Sequence, residues 1–203
     1  MNARSFRKLA PIVTAVPFLA MLPARSLAEE SGGYLELKGG VYAPTASQSV
    51  GQIENLGTFP TSGDFDVALG ATLGLIGLQL DAGYLWTSAS GVQVSGFPLN
   101  AVVQVRFPVL FLVPYLEAGL GVFISTAKFS EGNSGSSSKA AFMAPLGGGL
   151  DFVLGALILG VEARYLYISP TDYNFSSSFG SNTATLHMAG VAVTGNIGFR
   201  FSN

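Results

Sequence analysis

An all-β fold, a closed antiparallel up-and-down barrel of eight transmembrane strands following a cleaved leader, is predicted by three observations. Eight stretches of the chain alternate apolar residues with polar or small ones at period two. Every charged residue inside those stretches falls on the face that also carries the glycines. The whole chain is 49% hydrophobic and only 11% charged, about half the charge fraction of an average soluble domain.

The 203 residues suffice for one domain with a sizeable interior, and the mean hydropathy of +0.47 excludes a disordered chain. A formal net charge of −2 without a basic patch excludes nucleic acid as a partner. With no cysteine, disulfides, thiol catalysis and thiolate metal sites are excluded together.

The N-terminus reads as a secretory signal peptide. Arg4, Arg7 and Lys8 form a basic start, Leu9 to Ala24 is uncharged and largely apolar, and Ser26-Leu27-Ala28 puts small residues at the −3 and −1 positions of a cleavage site. Residues 1–28 are therefore assigned to the leader and 29–203 to the barrel domain. After cleavage six basic and twelve acidic residues remain, a formal net charge of −6.

The eight strands follow in order. Leu35, Leu37, Gly39 and Val41 oppose Tyr34, Glu36, Lys38, Gly40 and Tyr42 in the first. Phe65, Val67 and Leu69 oppose Asp66, Ala68 and Gly70; Leu78, Leu80 and Tyr84 oppose Gln79, Asp81 and Gly83. Leu99, Val103 and Phe107 oppose Asn100, Gln104 and Arg106, and Leu116, Leu120 and Ile124 oppose Glu117, Gly121 and Phe123. The last three place Phe142, Leu146 and Phe152 against Met143, Gly147 and Asp151, then Leu157, Val161 and Tyr165 against Ile158, Glu162 and Arg164, and finally Val191, Val193 and Phe199 against Ala192, Thr194 and Arg200. Each is near the 9–11 residues a tilted strand needs to cross a bilayer.

The placement of charge gives the sheet its inside. Glu36, Lys38, Asp66, Asp81, Arg106, Glu117, Asp151, Glu162, Arg164 and Arg200 all share the small-residue face, which suits a narrow barrel's crowded lumen. The opposite face carries no polar atom beyond Tyr and Trp tips. An open sheet with that face in hydrocarbon would leave edge N–H and C=O groups unsatisfied, so the sheet must close.

Connector lengths alternate. Long ones span 43–64, 88–98, 126–141 and 168–187; short ones lie near Ile76-Gly77, Pro108–Pro114 and Gly155-Ala156. Long loops outside and tight turns in the periplasm, with both termini periplasmic, is the outer-membrane arrangement. Aromatics agree: Phe65, Trp86, Phe142 and Tyr167 near the outer ends, and Phe107, Phe152, Phe199 and Phe201 near the inner ends, form two interfacial belts.

With these patterns, the chain resembles the small eight-stranded outer-membrane barrels of the OmpX, OmpW and OmpA-membrane-domain type. The resemblance rests on architecture and covers the 175 residues after the leader. It implies a bacterial outer-membrane location, lipid as the surrounding partner, and assembly machinery that recognises the last strand through Gly195-Asn196-Ile197-Gly198-Phe199-Arg200-Phe201. Family members usually end on the aromatic, whereas here Ser202 and Asn203 follow.

The lumen yields the candidate site. Glu36, Lys38, Asp81, Arg106, Glu117, Asp151, Glu162, Arg164 and Arg200 form an expected ion-pair network, since buried charges must pair. Leu85, Val102, Phe123, Met143, Leu166 and Met188 are expected to line an apolar outer half. The function expected is structural or surface-interacting, with a lumen that holds no wide pore; the alternative is binding or passage of small hydrophobic molecules, as the OmpW resemblance implies. A small apolar ligand and a surface partner gripped by Tyr173, Phe175 and Phe179 are the specific partners these readings admit. No cofactor, metal or catalytic residue is assigned. His187 is the single histidine and has no His-x-Ser neighbour, so a lipid-modifying enzyme is disfavoured, and the acids Glu54, Asp64, Glu131 and Asp172 are read as scattered loop residues.

Overall fold

The structure, a computed structural model, describes residues 31–45, 49–50, 53–54, 61–89, 92–129, 136–177 and 180–202. The leader assigned to residues 1–28 lies outside them, as do Glu131, Phe179 and the side chains of Glu54, Tyr173 and Phe175.

The strands are β1 (Gly32–Pro44), β2 (Ser49–Val50), β3 (Ile53–Glu54), β4 (Ser62–Leu73), β5 (Ile76–Ala89), β6 (Val92–Arg106), β7 (Leu112–Phe129), β8 (Ser136–Leu154), β9 (Leu157–Ile168), β10 (Thr171–Ser177), β11 (Gly180–Leu186) and β12 (Gly190–Ser202). Eight of them close into a barrel in the order β1-β12-β9-β8-β7-β6-β5-β4, every neighbour antiparallel, with the first and last strands paired to each other. Closure removes the unpaired edges that hydrocarbon forbids. A path across the ladders from Gly32 runs through Thr72, Gly77, Gln104, Glu117, Gly147, Arg164 and Ala192 and returns to β1 at Tyr42, ten residues further along. Eight strands with that stagger tilt about 40° to the axis and enclose a backbone cylinder of radius roughly 8 Å.

The period-two reading of the faces agrees with burial along every barrel strand. Inward glycines make room for large neighbours: a Cβ added at Gly70 would strike the Tyr34 ring, at Gly96 the Phe123 ring, and at Gly160 the amide of Asn196 and the carboxylate of Asp151. The outward residues of β6 and the residue just after it run Phe97, Leu99, Ala101, Val103, Val105, Phe107, and those of β8 run Phe142, Ala144, Leu146, Gly148, Leu150, Phe152. Each series has an aromatic at both ends, ten residues apart. Ten strand residues span roughly 33 Å, or about 25 Å of height at this tilt, the height of an outer-membrane apolar band. Ring contacts knit the girdles: Tyr84 lies 5.7 Å from Trp86 and 5.1 Å from Phe97, and Phe111 lies 6.4 Å from Phe152.

The connectors differ from the sequence expectation. At the end where β1 begins and β12 ends, three two-residue turns join the strands: Gly74-Leu75, Leu110-Phe111 and Gly155-Ala156. The first is two residues earlier than Ile76-Gly77, which belong to β5, because Gly74 takes the left-handed φ of +64° that the turn requires. The apolar stretch 107–114 contains no bulge: the β6–β7 register continues to Val109 and Leu112, which exchange hydrogen bonds of 2.7 and 3.0 Å.

At the opposite end, two expected long loops are mostly strand. β5 reaches Ala89 and β6 starts at Val92; β7 reaches Phe129 and β8 starts at Ser136. Backbone pairing needs no apolar side chain, so the ladder carries on past the point where the apolar coat stops. The connector 168–187 holds the β10–β11 hairpin, which joins β2 and β3 in a separate four-stranded sheet.

Candidate functional site

The lumen is divided into two storeys. The storey toward the turns is polar and centres on Arg164 of β9. Its guanidinium contacts Asp66 of β4, donates to Asp81 Oδ2 of β5 at 3.0 Å, lies 2.7 Å from Glu162 Oε1, and faces Asp64 at 3.9 Å. Glu162 Oε2 accepts from Lys38 Nζ at 2.6 Å and from the Tyr115 hydroxyl at 2.8 Å.

Nearer the turns, Arg106 donates to Asp151 Oδ2 and to Gln104 Oε1, both at 2.7 Å. Its Cζ sits 5.6 Å from the Tyr34 ring and 5.4 Å from the Tyr115 ring, so the guanidinium is flanked by two aromatic faces. Asn196 donates to Asp151 Oδ1 at 3.1 Å and to Glu36 Oε2 at 3.4 Å. Two glutamines connect the clusters. Gln104 Nε2 donates to Gln79 Oε1 and to Glu117 Oε2, both at 3.2 Å, and Gln79 Nε2 donates to Asp81 Oδ1 at 2.7 Å. The result is one continuous polar network from Arg106 to Arg164.

Charge balance in this storey is uneven. Among the described residues, the buried carboxylates are Glu36, Asp64, Asp66, Asp81, Glu117, Asp151 and Glu162, and the buried cations are Lys38, Arg106 and Arg164. Arg200, near the end of β12, is only half-buried. Between the charges, the neutral donors Tyr115, Gln79, Gln104 and Asn196 each reach a carboxylate, and Tyr34 donates to the two glutamines.

The storey toward the extended hairpins is apolar. Leu85, Phe123, Met143, Leu166 and Met188 pack with Tyr42, Val94, Ala141, Ile168 and Ala192 in a single buried cluster. Tyr42 and Leu85 have no exposed surface, and Phe123 and Met143 keep 1%. The Tyr42 hydroxyl donates to the Met188 carbonyl, satisfying the polar atom that this storey carries on an aromatic.

Two sequence assignments change. Val102 is buried but lies outside the apolar cluster: the ladder sets it beside Gln79 and Gly119, because the barrel's stagger lowers this part of β6 to the polar storey. Asp64 is no loop acid. β4 begins at Ser62, which makes Asp64 an inward residue two positions before Asp66, 2% exposed and turned toward Arg164. The neutral members of the network had a signal in the sequence, since each shares the parity of the charges on its own strand.

The belt residues Phe65, Trp86, Phe142, Tyr167, Phe107, Phe152, Phe199 and Phe201 are all exposed on the outer wall. A closed eight-stranded antiparallel barrel, charged within and apolar without, has the architecture of small outer-membrane barrels. Solved structures share it. Neisserial surface protein A is 14% identical, with a TM-score of 0.62 over 85% of this chain and 100% of that one. OprG of Pseudomonas aeruginosa is 14% identical, with a TM-score of 0.66 over 86% of this chain and 98% of that one. The N-terminal barrel domain of OprF from the same organism is 17% identical, with a TM-score of 0.52 over 85% and 98%. No protein-family description matches the sequence, and neither does any curated protein. The fold is thus that of the outer-membrane barrels, reached by a sequence far from theirs.

Proposed function

We propose that the chain is an integral outer-membrane protein, exported by the leader at 1–28, with the extended hairpins extracellular and both termini periplasmic. Its lumen is a plug rather than a wide pore, and its role is structural or surface-interacting. The observation that carries this reading is the filling of both storeys: Arg164 ringed by carboxylates below, and Tyr42, Leu85 and Phe123 packed with at most 1% exposed surface above. Eight strands leave room for side chains or one small ligand.

Folded barrels of this class migrate differently on a denaturing gel before and after boiling, and the same shift is expected here. Reconstituted protein is expected to show no steady conductance, whereas Arg106→Ala or Glu117→Ala combined with Phe123→Ala, which open gaps in both storeys, should produce resolvable channel events. A native protein that conducts steadily would remove the plug.

The apolar storey supports a second reading, passage or binding of small hydrophobic molecules, because its packed side chains Leu85, Phe123, Met143, Leu166 and Met188 would give such a molecule an apolar lining if they moved apart. Displacement of an apolar fluorescent probe tests it; a protein that takes up no probe excludes this role.

A further inference from the structure

The two ends of the barrel wall differ in a way that the lumen does not explain. Toward the hairpins the strands run on beyond the apolar band into residues such as Ser125, Thr126, Ser138 and Lys139. Toward the turns the wall ends abruptly, and the three turn segments at 73–76, 109–112 and 154–157 hold no polar side chain. Tight turns in water favour Asn, Asp, Ser and Gly.

The turn at 109–112 is the extreme case. Leu110 has a φ of +59°, where its two counterparts, Gly74 and Gly155, have +64° and +65°. A left-handed conformation costs a residue with a Cβ about 1–2 kcal/mol, so the sequence keeps a leucine where glycine fits better. That side chain is 86% exposed and touches too little of the protein to justify its presence. The turn is also held firmly: Val153 N donates to the Phe111 carbonyl at 2.8 Å, and the Phe111 ring stacks on Phe152 of the girdle. The apolar band therefore continues without interruption from the outer wall to the tip.

We propose that the turn end of the barrel is seated in the interfacial layer of the bilayer, with Leu110 and Phe111 inserted as an anchor that fixes its depth. The partner is lipid, and the proposal rests on the outer-membrane reading above. Continuity with the girdle selects lipid over a second protein, since the same apolar surface would otherwise pass from hydrocarbon into water without a polar rim.

Because the chain has no cysteine, single-cysteine variants labelled with an environment-sensitive fluorophore test this in phosphatidylcholine nanodiscs, where both faces meet solvent. Leu110→Cys is the probe, Phe111→Cys its duplicate, Leu80→Cys the control in mid-band, and Lys139→Cys the control in water. The label at 110 is expected to be quenched by iodide at least fivefold less than the label at 139, and to be quenched by lipids brominated near the headgroup. Iodide quenching at 110 equal to that at 139, with 80 still protected, overturns the anchor and leaves the membrane barrel intact. Protection from iodide without quenching by brominated lipid means that another protein surface covers the turn, and also overturns it. If 80 is open to iodide as well, the outer-membrane reading fails and the anchor falls with it.

Discussion

The two storeys of the lumen fill the same cylinder by opposite means. The storey around Arg164 uses charge: one guanidinium touches carboxylates from β4, β5 and its own strand, and a tyrosine and a lysine complete the coordination of Glu162. The storey around Phe123 uses shape, with Met143, Leu85 and Leu166 filling the space around the ring. The difference shows in what each tolerates. A gap in an apolar layer loses contacts roughly in proportion to its volume, whereas a charged layer missing one member leaves its remaining charges desolvated and unbalanced.

The largest effect should therefore come from Arg164→Ala. Loss of one partner from a buried ion pair costs about 3–5 kcal/mol, and here Asp66, Asp81 and Glu162 all lose their contact with the same cation. A loss at the upper end of that range is expected, measured as the denaturant midpoint of the gel-mobility transition in detergent. A loss below about 1 kcal/mol would show that the carboxylates find other partners, and the comparison between storeys would fail. Phe123→Ala comes next, at about 3 kcal/mol for the lost aromatic volume. Its effect should be partly recovered by Phe123→Leu, which refills most of the space. No neutral replacement, Arg164→Met included, should recover the charged storey.

How much of this was legible in the sequence follows from the same physics. Parity along a strand is local, so Glu36, Arg106 and Arg164 could be placed inside the barrel, and Leu80 or Phe152 outside it, from alternation alone. Which inward residues meet is not local, because it depends on the stagger accumulated over eight pairings. That is why Arg164 could not be matched to Asp66 and Asp81, and why Val102 was assigned to the wrong storey. Strand ends were obscured for a related reason. Hydrophobicity marks where the membrane ends, while pairing continues beyond it, and this hid both the hairpin extensions and the early start of β4 that buries Asp64. The short connector within Pro108–Pro114 is legible in the sequence, but its position at Leu110-Phe111 is not, because this leucine occupies a conformation that normally selects glycine.

The smallest effects give the sharpest comparison, because one atom is removed from each storey. Tyr115 donates to the carboxylate of Glu162 at 2.8 Å, and Tyr42 donates to the backbone carbonyl of Met188. A hydrogen bond to a charged group contributes about 1.5–3 kcal/mol and one between neutral groups about 0.5–1.5. Tyr115→Phe should thus destabilise by about 2 kcal/mol and Tyr42→Phe by about 1 in the same unfolding assay. Both rings stay in place, so packing is common to the two variants and the difference reports the acceptor. Glu162→Gln keeps an acceptor beside Tyr115 but removes its charge; combined with Tyr115→Phe, it should bring the cost of losing that hydroxyl down to the Tyr42 value. If the cost of Tyr115→Phe is the same in both backgrounds, the charge on Glu162 is not what strengthens the bond, and the polar storey would be held by the same neutral interactions as the apolar one.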